Sequence, residues 1–168
     1  PVMVKLHKQE NLTDEYKAIN PRGQVPVLVD GGEAITQIVA IVSYLDDRFP
    51  QHGFLPREPL ARARVLETLM WMNNTVHPTF THIFRPTKFA STDDSQSDVR
   101  NMAVAMFREH LERIQGMAAK AAPFLLGDKL SFVDAYAVVF LRWAGLGGID
   151  PASLPTYRAY YPTKETLR

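Results

Sequence analysis

The spacing of apolar residues changes period several times along this chain. Val2, Val4 and Leu6 recur at every second position and predict a short strand. Asn11-Leu12-Thr13-Asp14-Glu15-Tyr16 supplies capping residues followed by early acids, which predicts the opening of a short helix. Asn20-Pro21-Arg22-Gly23 is a turn, and Val25-Pro26-Val27-Leu28-Val29 reads as a second strand with a proline at its start. Asp30-Gly31-Gly32 then forms a hairpin turn and Glu33 to Thr36 the returning strand. From Gln37 the period becomes helical: Ile38, Ile41, Val42, Leu45 and Phe49 share one face, Ser43, Asp46, Asp47 and Arg48 lie off it, and Pro50 ends the helix.

Pro50-Gln51-His52-Gly53 and Pro56-Arg57-Glu58-Pro59 make the most linker-like stretch, and no strand pattern follows it. One long helix is expected from Leu60 to Val76, with a kink at Pro78, and a polar loop from Thr87 to Ser95. A second covers Ser97 to Ala119, with Val99, Met102, Met106, Phe107, Leu111, Ile114 and Met117 as its apolar stripe. Ser131-Phe132-Val133-Asp134 is a capping-box pattern with Asp in place of Glu. The helix it starts, Phe132 to Ala144, is apolar nearly all round and is expected at the centre of a bundle. The chain therefore divides into an α/β segment (1–50), a linker (51–59) and an all-α segment (60–168), with no internal repeat.

Composition narrows the function classes. The 168 residues carry 19 Lys and Arg against 18 Asp and Glu, and a net charge of +1 gives no field for steering toward nucleic acid or an anionic membrane. There is no cysteine, which removes disulfides, thiolate metal ligands and a cysteine nucleophile from these residues. The longest apolar run, Ala135 to Leu141, falls far short of the ~20 residues of a membrane span.

The candidate chemistry lies in the first segment. Proline cannot donate to a sheet ladder, and X-Pro bonds adopt cis cheaply, so a cis Val25-Pro26 bond would leave the Val25 backbone free to pair with an extended peptide. Gln37 falls at the first turn of a helix, where unsatisfied N–H groups favour a carboxylate. A small peptide with an extended middle and an acidic end fits both. Ser131 and Asp134 read as structural, and Trp71, Trp143 and the methionines of the long helices as core. His7, His52, His82 and His110 show no metal-ligand spacing, although His77 and His82 are five apart, so no metal site is expected.

The run Asn20-Pro21-Arg22-Gly23-Gln24-Val25-Pro26-Val27-Leu28-Val29, with Ile35-Thr36-Gln37 and Ala40-Ile41-Val42-Ser43-Tyr44-Leu45, resembles the thioredoxin-like N-terminal domain of cytosolic glutathione transferases. Leu130-Ser131-Phe132-Val133-Asp134-Ala135-Tyr136 and Leu141-Arg142-Trp143-Ala144 are similar to the same family's all-helical C-terminal domain. His77, Phe80 and Phe84-Arg85-Pro86 resemble bacterial beta-class members, and Ala61-Arg62-Ala63-Arg64-Val65 resembles theta-class ones.

The resemblance implies an α/β thioredoxin-like domain, incomplete here, followed by a helical bundle. It also implies glutathione as co-substrate, an electrophilic small molecule as acceptor, a cytoplasmic homodimer and a role in detoxification, with no nucleic-acid or membrane partner. Within the site, it makes Val25 the backbone partner of the cysteinyl part of glutathione and Pro26 the cis-proline shaping it. Gln37 and Ile38 would meet the γ-glutamyl end, Asn11 the glycyl end. Ile38 stands where the family commonly has Ser, leaving only a backbone N–H to offer. In beta-class relatives a His in the His77 segment approaches the glutathione sulfur; the other reading of His77 is a packed helix-end residue. The family's fold opens with a further strand and helix, ~30 residues, that carry its catalytic Tyr, Ser or Cys. None lies ahead of Val2, and Thr163 to Arg168 stops where the family has another helix, so a fragment is expected and no catalytic residue is named. A transferase is the first reading; a non-catalytic scaffold of the same fold, or a glutathione-dependent isomerase or reductase, are the alternatives.

Overall fold

Gly31 and Gly32, at φ 57° and 89°, turn the chain between β1 (Val27–Asp30) and β2 (Glu33–Thr36), where most side chains would be strained. The structure is a computed structural model that describes residues 1–160, and it falls into two units divided between His52 and Gly53. The expectation concerning Thr163 to Arg168 lies outside the described residues.

In the first unit, β1 and β2 form an antiparallel pair in register from Val27 opposite Thr36 to Asp30 opposite Glu33. The strand expected at Val2 to Leu6 does not form. No described segment pairs with it, and with Val2 93% and Met3 81% exposed the alternation has no face to bury. The Lys5 N–H donates instead to Glu10 Oε2 at 2.7 Å, and the backbone runs through 3₁₀ turns at Leu6–Lys8 and Glu10–Leu12. Helix α1 (Asp14–Ile19) is capped by Thr13, whose hydroxyl accepts from the Tyr16 N–H at 3.3 Å. Helix α2 (Ile38–Arg48) buries Ile41 and Val42 as its period predicts. Asp46, placed on the polar face by that period, is buried too, and it is not without a partner there.

The second unit is helical. Its first helix, α3 (Pro59–Trp71), is capped by Glu58, whose carboxylate accepts from Leu60 and Ala61. The chain then widens into a π turn (Met72–Val76) and resumes as α4 (His77–Phe84). The expected kink thus falls one turn ahead of Pro78. Proline lacks the N–H for the i−4 carbonyl and its ring crowds it, and the wider turn, closed by His77 N–H to Met72 C=O, absorbs both effects. Helix α5 (Asp93–Ala118) begins inside the segment expected as loop, because Thr92 and Ser95 cap it reciprocally. It buries Ala103, Phe107, Leu111, Ile114 and Ala118, while Met102 and Met106, expected in the core, lie on its exposed side. Helix α6 (Phe132–Leu146) packs against α3 and α5 through Val133, Ala137, Phe140 and Ala144, but Leu146 is exposed, so it is not buried on every side. A last helix, α7 (Pro155–Tyr160), docks on α5, and its Tyr157 hydroxyl donates to the Ala137 carbonyl at 2.6 Å.

Candidate functional site

The register of the hairpin decides what meets at the end of the first unit's sheet. Val27 opposite Thr36 is its last pair, so Val25-Pro26, just ahead of β1, and Gln37-Ile38, just after β2, lie at the same end of the hairpin. Proline has no N–H to give, so the ladder stops at Val27. The Val25-Pro26 bond is cis, as expected. Val25 is 40% exposed, and its N–H and C=O make no backbone hydrogen bond among the described residues.

Gln37 is the single residue between the last residue of β2 and the first of α2. It takes φ 71° and ψ 119°, a region that costs an L residue roughly 1–3 kcal/mol unless its surroundings impose it. The surroundings here are the paired Thr36 on one side and the Ile41 N–H, donated to the Gln37 carbonyl at 3.0 Å, on the other. Gln37 is thus the cap rather than a first-turn residue, and its side chain caps none of the N–H groups that open α2. Those donors, Ile38 among them, open the helix at the end of the hairpin where the Val25 backbone is unpaired.

Three side chains hold the loop leading into Pro26. Asn11 Nδ2 donates to the Gly23 carbonyl at 2.6 Å, and both the Tyr16 hydroxyl and Asn20 Nδ2 donate to the Gln24 carbonyl at 2.7 Å. Gly23 sits at φ 60°, where an added Cβ would lie 3.0 Å from the Asn11 carbonyl oxygen, so the close approach requires glycine. Asn11 lies in the 3₁₀ turn ahead of α1 and gives one amide hydrogen to this loop. Tyr16 and Asn20 were not singled out from sequence; the turn signal at Asn20-Pro21 was readable, the carbonyl that it serves was not.

His77 belongs to the second unit, as the first residue of α4. Its ring stands edge-on to Trp143 with centroids 4.9 Å apart, and its Nδ1 lies 2.9 Å from the Tyr136 hydroxyl. That hydroxyl also donates to Asn73 Oδ1 at 3.4 Å. Burial holds His77 below the ordinary imidazole range, so it is neutral near pH 7, and pushes the Tyr136 phenol up to about 12. Trp143 stacks on Phe80 at 4.4 Å and Tyr136 on Phe140 at 4.8 Å, which fixes the walls around the imidazole. Sequence reasoning passed over Tyr136 and Asn73, although Tyr136, Phe140 and Trp143 stand at i, i+4 and i+7 of one apolar helix, where a polar tip is a signal. The other histidines have separate company: His82 Nδ1 faces the Pro78 carbonyl at 2.7 Å and His110 Nε2 the Thr79 hydroxyl at 3.4 Å.

Residues 1–48 match the family described as the glutathione S-transferase N-terminal domain. The chain is 33% identical over 133 residues to glutathione S-transferase GstA of Escherichia coli O157:H7, covering 78% of this chain and 62% of that protein. In three dimensions it is similar to a glutathione transferase homologue from Sulfitobacter, solved with bound glutathione, at a TM-score of 0.85 and 25% identity over 95% of this chain and 77% of the other. The first unit is accordingly a thioredoxin-like domain with a small sheet and the second the helical domain of the same fold. With glutathione S-transferase GST-4.5 of Xanthomonas campestris pv. campestris the identity is 32% over 153 residues, 88% of this chain and 72% of that protein, and on this likeness the chain belongs to the glutathione transferase family.

Proposed function

We propose that this chain binds glutathione and serves as a glutathione transferase, joining the glutathione thiolate to electrophilic small molecules. The observation that carries the reading is the end of the hairpin. The ladder stops at Val27, and the exposed backbone of Val25, unpaired among the described residues, lies at the same end of the hairpin as the uncapped start of α2. An extended tripeptide can add to Val25 as a further antiparallel partner, as peptides do at sheet edges. Its γ-glutamyl end then meets Gln37 and the Ile38 N–H, where helix donors favour a carboxylate. The second amide hydrogen of Asn11 is assigned to the glycyl carboxylate. His77, a neutral imidazole, is assigned to the thiol, whose deprotonation makes the nucleophile.

The acceptor is a small electrophile, the compartment the cytoplasm, the assembly a homodimer and the role detoxification. The family membership supports these assignments. Retention on immobilised glutathione, with elution by free glutathione, tests the binding; conjugation of a chlorodinitrobenzene tests the chemistry. Retention without conjugation would make the chain a binding module, and no retention would refute the reading.

A further inference from the structure

The donors around His77 have a direction. Asn73 Nδ2 donates to Asn74 Oδ1 at 2.8 Å, so Asn73 turns its carbonyl oxygen, which can only accept, toward the Tyr136 hydroxyl. The hydroxyl has one proton, and of its two neighbours the Asn73 oxygen, 3.4 Å away, is the one that can do nothing but accept it. Toward His77 Nδ1, 2.9 Å away, the phenol oxygen is then an acceptor, and a hydrogen bond there requires the proton on Nδ1. Asn73 and His77 stand four residues apart around the π turn, so one helical face presents both to the single hydroxyl that α6 supplies. Trp143, at 84° to the imidazole, fixes the ring plane, and Nε2 has no hydrogen-bond partner among the described residues.

We propose that Tyr136 and Asn73 are positioning residues that hold His77 as its Nδ1–H tautomer and so present the Nε2 lone pair as a proton acceptor. Free imidazole side chains prefer the opposite tautomer, so the Asn73–Tyr136–His77 chain selects against the intrinsic balance. Its use in catalysis rests on the assignment of His77 to the glutathione thiol. In that step the S–H bond breaks, the sulfur keeps the electron pair and the proton bonds to Nε2. The resulting imidazolium keeps its Nδ1–H bond to Tyr136, and its new proton passes to the leaving group or to water.

Nitrogen-15 spectra of His77 in the full chain, recorded where the ring is neutral, read the tautomer directly. The expected result is a protonated Nδ1 and a bare Nε2. Asn73→Ala removes the acceptor and frees the Tyr136 proton for Nδ1, so the population should invert to Nε2–H; Asn73→Asp keeps an acceptor-only oxygen and should keep the original form. In conjugation assays Asn73→Ala should lower kcat about tenfold, a fraction of what a general base contributes, at unchanged KM for glutathione, with Asn73→Asp restoring it. A wild-type Nε2–H signal, or an Asn73→Ala spectrum that does not change, overturns the assignment. If His77→Ala leaves conjugation intact while the Nδ1–H form is observed, the thiol assignment fails and the tautomer stands.

Discussion

At Gln37 a single residue ends a strand and begins a helix, and its φ of 71° is what that economy costs. Its side chain contributes no capping bond, so removing it should affect ligand binding more than folding. Gln37→Ala is expected to weaken glutathione binding by about 1–2 kcal/mol, one hydrogen bond to a charged group, as measured by calorimetry. Gln37→Glu separates two poses: it should hold or raise affinity if residue 37 faces the γ-glutamyl ammonium and lower it if it faces the carboxylate. A dissociation constant moved by less than about twofold in both variants would leave Gln37 as a connector only. The residue type was legible as a helix-start position, but nothing in the sequence announced a positive φ, because glutamine is not a residue that seeks one. His77 offers a second test at this scale. Burial lowers its folded-state pKa, so below the ordinary value near 6.5 the unfolded chain binds more protons than the folded one. Its contribution to stability is therefore complete above that value and is lost as pH falls below it toward the lower folded value. His110 is shifted the same way by burial, so both contribute. The drop in Tm on mild acidification should be smaller in His77→Gln than in the wild type; equal drops would contradict a buried neutral imidazole.

Among the elements, Asp134 shows how a readable signal understates its structural weight. The pattern Ser131 to Asp134 predicted a cap, and the carboxylate does accept from the Ser131 N–H and hydroxyl, both at 2.8 Å. It also accepts from the Leu125 N–H at 2.9 Å and the Tyr160 hydroxyl at 2.5 Å, while only 3% exposed. A cap alone is worth about 1 kcal/mol, but Asp134→Ala also strands a buried N–H, and a loss of roughly 2–4 kcal/mol in urea denaturation is expected. Glutathione affinity should not change. A loss near 1 kcal/mol would mean that water takes over the Leu125 donor. The α/β-then-all-α order was legible because helical period and capping are local properties. The strand at Val2 to Leu6 failed because a strand is not local: it needs a partner, and the described chain gives it none. The start of α5 was missed for a different reason, since Thr92 and Ser95 form a capping box without the Glu or Gln that makes one conspicuous.

For the whole molecule, the informative surface is one formed by methionines that sequence reasoning assigned to the core. Met102 and Met106 stand one turn apart on α5 and are 66% and 47% exposed, and Met70 on α3 is 44% exposed. Their helical spacing made them legible as an apolar stripe; which half of that stripe the fold would bury was not, because Ala103 and Phe107 at neighbouring positions compete for the same interior. Apolar residues grouped on a helix face are more often covered than left to water, and in a homodimer a self-complementary patch covers itself. Light scattering on the wild-type chain at micromolar concentration should therefore give twice the monomer mass. Replacing Met102 and Met106 together by Asp buries like charges opposite each other at such an interface and should return the mass to that of one chain. The same variant should keep its helical circular dichroism, since neither side chain belongs to the buried face of α5. A monomeric wild type would refute the dimer outright, and a dimer that survives both substitutions would move the interface away from this face of α5.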